Sequence, residues 1–159
     1  MQIVLLILIT VCLAVLVNVR ANMPLRAAIR HKILFNDALG IYLLKVRSNG
    51  NNHYFMLDTG ANLSVMDSGY VTGENFMLEP VEGEGSFTSW NNETTKTTYA
   101  KGAFSVDGQV YADGFQVVDC GEQFSEKRWG IRLSGVLGMS FLNQFHMDLK
   151  DGYLYKDEI

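Results

Sequence analysis

Cysteine is nearly absent from this 159-residue chain, which has only Cys12 and Cys120. Two thiols cannot build a disulfide framework. Proline is equally scarce, at two residues, and charged residues are 19% against 48% hydrophobic, which excludes wholesale disorder. Positive charge is not in excess: the net charge is −4, against what a nucleic-acid binder needs. His31, His53 and His146 are scattered and lack zinc-ligand spacing, so no metal site is expected. Ser140 does not sit in a Gly-x-Ser-x-Gly turn. Gly83 and Gly85 lack a third matched glycine, and Glu82 and Glu84 would repel a phosphate. The length allows one domain, or one domain plus an appendage, and excludes two large lobes in one chain.

The charge that is present is unevenly placed. Residues 1–32 carry Arg20, Arg26, Arg30 and Lys32 and no acid, or +4, so the remaining residues carry −8. Residues 3–17 are apolar except for Thr10. A spanning helix needs about 17–25 apolar residues, and this run is at the short end. A cleaved signal peptide would want a basic start and a small-residue cleavage site. Only the α-amino group precedes the run here, and Val15-Leu16-Val17-Asn18 is a poor site. Ile9-Thr10-Val11 before Cys12 echoes a lipoprotein site weakly, but Val11 is too large. The expectation is an uncleaved single-pass anchor over 1–19 and a basic juxtamembrane linker over 20–32. Residues 25–32 read equally as a short basic helix on lipid headgroups or as a solvated linker. The positive charge after the run would leave the body on the cytoplasmic side. With Cys12 in the anchor, both cysteines are expected to be free thiols.

Beyond residue 32 the pattern is mostly β. Residues 40–46 and 53–57 flank the turn-rich Ser48-Asn49-Gly50-Asn51-Asn52 and read as a hairpin. Residues 63–66 form another short apolar run. Asp107-Gly108 marks a two-residue hairpin turn, 115–118 the next strand, and Asp151-Gly152 a C-terminal hairpin. One helical stretch is expected from about Met139 to Gln144. Strands at this spacing with one helix suggest a small barrel or sandwich.

The sharpest segment is Phe55-Met56-Leu57-Asp58-Thr59-Gly60-Ala61-Asn62-Leu63-Ser64-Val65-Met66. An apolar strand delivers a carboxylate into a tight turn, and a second apolar strand leaves. Acids are depleted in apolar strands, so Asp58 is unusual there. Thr59 offers a hydroxyl, and Gly60 lets backbone approach closely. In isolation Asp-Thr-Gly is as well explained by a turn Asp accepting amide hydrogens. A second segment, Leu133-Ser134-Gly135-Val136-Leu137-Gly138-Met139-Ser140-Phe141-Leu142, places two apolar residues before a glycine and then a short helix. Alone it reads as a buried strand capped by glycine.

In this order and spacing the two segments resemble the retropepsin-like aspartic peptidases. The resemblance covers roughly residues 33–156. It implies an all-β domain, a small closed barrel with one short helix, over residues 33–159. It implies Asp58, Thr59 and Gly60 as the catalytic loop. It implies substrate contacts from Ala61, Asn62, Val136 and Leu137, and from a flap carrying Gly83, Glu84 and Gly85. A plain surface hairpin is the other reading of residues 81–90. The mechanism needs two carboxylates sharing a proton, and the chain offers one, so the resemblance implies a homodimer acting on polypeptide, with no cofactor. Two positions depart from the family pattern. Asn62 stands where an acid is frequent, and Met139-Ser140 stands where Arg-Asn or an Asp is frequent. They bear on dimer and substrate contacts. Asp67-Ser68-Gly69 is too close to Asp58 for a second lobe and reads as a turn. Asn62-Leu63-Ser64 and Asn92-Glu93-Thr94 match the glycosylation pattern, the first inside the candidate loop. Two alternatives stand beside the peptidase: a catalytically silent peptide- or protein-binding module on the same fold, and a membrane-tethered structural β domain.

Overall fold

Alternation of apolar and polar side chains fixes which face of each strand is buried. In strand β3 (Ile41–Ser48) Leu44, Val46 and Ser48 are buried while Lys45 and Arg47 face out. The structure, a computed structural model, describes residues 29–69, 71, 74–88 and 94–156. The expected anchor over 1–19, linker residues 20–28, the segment 89–93 and residues 157–159 lie outside the described residues. Among the described residues no helix is long and apolar enough to cross a membrane.

β3 returns as β4 (Asn51–Leu57) through Asn49 and Gly50, whose φ values of 45° and 81° give the left-handed turn the strand twist favours. β5 (Ser64–Asp67) is buried at all four positions. β6 (Met77–Thr88) and β7 (Thr94–Val106) form the longest hairpin, with a register shift between Val81 and Glu84. β7 returns as β8 (Gln109–Val118) through Asp107-Gly108, with φ values of 48° and 86°. The expected separate strand over 115–118 is therefore the far end of β8: Gly114 did not interrupt it, because the pairing to β7 runs through that position.

β9 (Gly135–Leu137) lies between β4 and β5, parallel to the first and antiparallel to the second. A β3–β7 pairing at Arg47 and Ser105 closes the run β3-β4-β9-β5-β8-β7 into a six-stranded barrel. β2 (Leu34–Asn36) extends the sheet beside β3, and β6 extends it beside β7. A small second sheet has the order β1 (Ile29–Lys32), β11 (Tyr153–Lys156), β10 (His146–Asp148). Residues 29–32 are thus a strand, and neither a headgroup helix nor a solvated linker; His31 is buried in it. The helical content exceeds the one expected helix. A 3₁₀ turn over Gly121–Phe124 and a turn of helix, α1 (Glu126–Trp129), precede the expected one, α2 (Met139–Leu142).

The barrel interior is aromatic. Phe55, Phe76, Phe104, Phe115 and Phe141 are buried, with ring centroids 5.5 Å apart for Phe104–Phe141 and 6.1 Å for Phe76–Phe115. A second cluster of Leu43, Val65, Val118, Phe124, Leu133 and Val136 packs on the other face.

Most of the buried polar groups are partnered, Thr97 Oγ1 being an exception. Asp67 ends β5 fully buried, 2.5 Å from Arg132, and also accepts the Gly69 and Cys120 amides. Its turn is therefore an internal fastening. His53 lies between the Ser134 hydroxyl and the Asn75 carbonyl, and burial holds its pKa below the usual histidine value. His31 sits 2.6 Å from the Tyr111 hydroxyl and 3.3 Å from Asp107. Two of the three scattered histidines are thus core groups.

Candidate active site

The sheet order makes the site. The chain must pass from β4 to β5, and β9 lies between them. Residues 58–63 therefore arch over the C-terminal end of β9. Leu57 pairs with Leu137, so Asp58 comes to rest beside Gly138. The Asp58 amide donates to the Leu137 carbonyl at 3.1 Å. The arch closes on itself where Ala61 N–H donates to the Asp58 carbonyl at 3.3 Å. Asp58 Oδ1 accepts the Gly60 amide at 2.8 Å, which fixes the carboxylate half-buried at the loop.

The far side of the arch is tied to the start of α2. Met139 N–H donates to the Ala61 carbonyl at 2.8 Å, and Ser140 N–H to the Asn62 carbonyl at 3.0 Å. The contact is close because Gly138 has no side chain. A Cβ there would stand 2.5 Å from the Leu63 carbonyl oxygen and 2.7 Å from that of Ala61.

A cleft of about 460 Å³ opens at this loop. Its floor includes Asp58, Ala61, Asn62 and Leu63, its wall Met56, Val65, Val136 and Phe124, and its rim Ser86 of β6 with Gln116, Cys120 and Gln123. Among these lining residues Asp58 is the one carboxylate. Burial, with the nearby charges of Asp67 and Asp119, pushes the Cys120 thiol up to about 12, so it is protonated and inert. Among the described residues no cluster of acids, histidines and cysteines could hold a metal ion.

The structure brings together most of the site residues expected from sequence and separates others. Asp58, Gly60, Ala61, Asn62 and Val136 line the cleft, and Thr59 is exposed beside them. Leu137 is fully buried in the barrel core and contributes its carbonyl, so its substrate role gives way to a holding one. Gly83 and Gly85 lie within strand β6 and not at a hairpin tip. Gly83 has φ of 140° at the register shift, and Gly85 lies over the Tyr99 ring. Glu84 pairs along the backbone with Thr98. Neither glycine is among the described lining of the cleft, which β6 reaches through Ser86. Gln116 Nε2 donates to the Ser86 carbonyl and to the Tyr99 hydroxyl, both at 3.4 Å, linking that strand to β8. Asn62 lines the cleft, so a glycan on it would fill the site.

Sequence reasoning missed Gln116, Gln123, Phe124 and Asp113. Gln116 had a signal: it is a polar residue within an apolar strand. Gln123 and Phe124 had none, because they come from a 3₁₀ turn.

No family model matches this chain, and no curated protein matches it. Among solved structures, a retropepsin-like aspartic protease from Rickettsia conorii is similar, with a TM-score of 0.51 and 18% identity. The similarity covers 81% of this chain and 89% of that one. At that identity the likeness speaks for architecture, and the all-β closed barrel is a retropepsin-like fold. The resemblance read from the two motifs holds at that level.

Proposed function

We propose that the chain is an aspartic endopeptidase working as a homodimer. The observation that carries it is Asp58, held by its own loop at the floor of a cleft whose described lining has no other acid. Peptide hydrolysis by carboxylates needs two of them sharing one proton. A two-fold interface places each residue opposite its copy, so two Asp58 loops would complete the pair. One carboxylate then takes a proton from water as the water oxygen attacks the scissile carbonyl carbon. The other gives its proton to the carbonyl oxygen. The tetrahedral adduct collapses, the C–N bond breaks, and the amine leaves with a proton. Thr59, exposed on the loop, would bond to its copy across the axis. Met56, Val65, Val136 and Phe124 favour apolar substrate side chains beside the bond cut.

Sedimentation of the full-length chain over a concentration series, with cleavage of a peptide library measured on the same samples, tests the assembly. Cleaving activity should follow the dimer. An active species that stays monomeric at every concentration would require a second acid within one chain and would defeat the dimer.

We also infer that residues 1–19 tether the domain to a membrane as a single-pass anchor, with the peptidase domain on the cytoplasmic side. The support is the apolar run with its flanking arginines. N-terminal sequencing of the membrane fraction should return a chain starting at or before residue 3. A mature chain beginning near Asn22 would overturn the anchor.

A further inference from the structure

Behind the Asp58 loop lies a hydrogen-bonded hub that the mechanism above does not use. Asp113 of β8 points Oδ2 at two hydroxyls: Ser64 Oγ donates to it at 2.5 Å and Ser140 Oγ at 3.1 Å. Each hydroxyl in turn accepts a backbone amide. Gly138 N–H donates to Ser64 Oγ at 3.0 Å, and Ser64 N–H donates to Ser140 Oγ at 3.1 Å. The two hydroxyl oxygens are also 3.2 Å apart, and either can donate to the other. When Asp113 is ionised both protons turn to it and every hydroxyl and amide of the hub is partnered; when it is protonated, a serine proton turns to the other serine instead.

The two amides are not incidental. Gly138 is the residue on which the arch rests, and Ser64 is where the arch re-enters the sheet. The hub therefore holds the far end of the crossing that carries Asp58 and the residue on which its middle rests.

We propose that Asp113 is a positioning residue for the Asp58 loop: ionised, it orders Ser64 and Ser140 and through them the loop, and its protonation releases the hub and sets an acid limit on activity. The proposal rests on the peptidase reading only for its activity arm. Among the described residues, the groups facing Asp113 carry no charge of their own: β5 brings Ser64, α2 brings Ser140, and Gly102 stands opposite on β7 with no side chain. Burial pushes the carboxyl up from its usual value, and the Ser64 hydroxyl, the Gly114 amide and the Ser140 hydroxyl pull it back down. The titration therefore falls above the ordinary aspartate range of about 3.9, where an assay can follow it.

The test is an amide NMR titration of the full-length chain from acid to neutral pH. The Gly138 and Ser64 amides should titrate together with a midpoint above the ordinary aspartate value. The titration should persist in Asp58→Asn and vanish in Asp113→Asn. Ser140→Ala, which keeps the carboxylate and removes one donor, should move the midpoint to higher pH. Loop amides that do not titrate, that titrate unchanged in Asp113→Asn, or that keep their midpoint in Ser140→Ala would each overturn the proposal. On peptide substrate the acid limb of kcat should share that midpoint. In Asp113→Asn kcat should fall about tenfold or more, by misplacement of the loop, with KM changed much less. A plain loss of folded protein would leave KM and the shape of the pH profile unchanged, and that result would also overturn it. If no peptide is cut at any pH, the peptidase reading fails, while the amide titration still decides the role of Asp113.

Discussion

Asp58→Asn should abolish peptide cleavage, by about a thousandfold or more, while the chain stays folded and dimeric. The carboxylate must take a proton from water and return one, and proton transfer by a placed group supplies about 10²–10⁴ in rate. An amide has nearly the same shape but cannot do this. The loop should survive the change, because an asparagine oxygen can still accept the Gly60 amide that Asp58 Oδ1 holds at 2.8 Å. Circular dichroism and sedimentation of the variant, beside kcat/KM on a peptide the wild type cuts, separate chemistry from folding. Wild-type cleavage by Asp58→Asn would remove Asp58 from the mechanism. A folded, dimeric wild type that cuts nothing from acid to neutral pH would favour the silent binding module on the same fold.

Gly138→Ala should cost both stability and activity. The added Cβ would sit 2.5 Å from one carbonyl oxygen and 2.7 Å from another, and both belong to backbone. Side chains can rotate away from such a contact, but these carbonyls cannot move without the arch moving. Overpacking of this kind costs about 1–3 kcal/mol even where side chains can adjust, so about 3 kcal/mol or more is expected here. Urea unfolding should show the lowered midpoint, and residual folded protein should cleave poorly, because the Ala61 and Asn62 carbonyls that hold the loop to α2 are displaced. A variant as stable and as active as the wild type would mean that the arch does not rest on β9.

Local signals carried the turns and the candidate loop. Asn49-Gly50 and Asp107-Gly108 announced hairpins because the left-handed backbone they need is a property of two residues. The Asp58 loop and the Val136-Leu137-Gly138 segment were legible for a similar reason: both are short and chemically odd among apolar neighbours. What lay between them was not legible. That β9 slots between β4 and β5 is a pairing of segments about eighty residues apart, and nothing local states it. Without that pairing Leu137 looked like a wall of the site, when its side chain is core and only its carbonyl serves the loop. The resemblance put Gly83, Glu84 and Gly85 in a flap against the substrate, but pairing along β7 carries β6 straight through them, past a register shift, as far as Thr88. Asp113 was invisible in the same way: its two hydroxyl partners come from β5 and α2, and Ser140 had registered as a serine outside a nucleophile turn and as a departure from a family pattern. Asp67 registered as a turn, while its charge is answered by Arg132, sixty-five residues away.

The central claim is that the catalytic carboxylates come from two chains, and mixed dimers test it most directly. Wild-type chain and Asp58→Asn chain are dissociated together, reassociated in equal amounts, and assayed on peptide at constant total chain. If both Asp58 carboxylates are needed, only wild-type pairs cut, and activity should be about one quarter of that of an all-wild-type sample, falling as the square of the wild-type fraction. Activity at about one half, linear in that fraction, would mean that each chain cuts with its own residues, and the dimeric aspartate pair would be wrong.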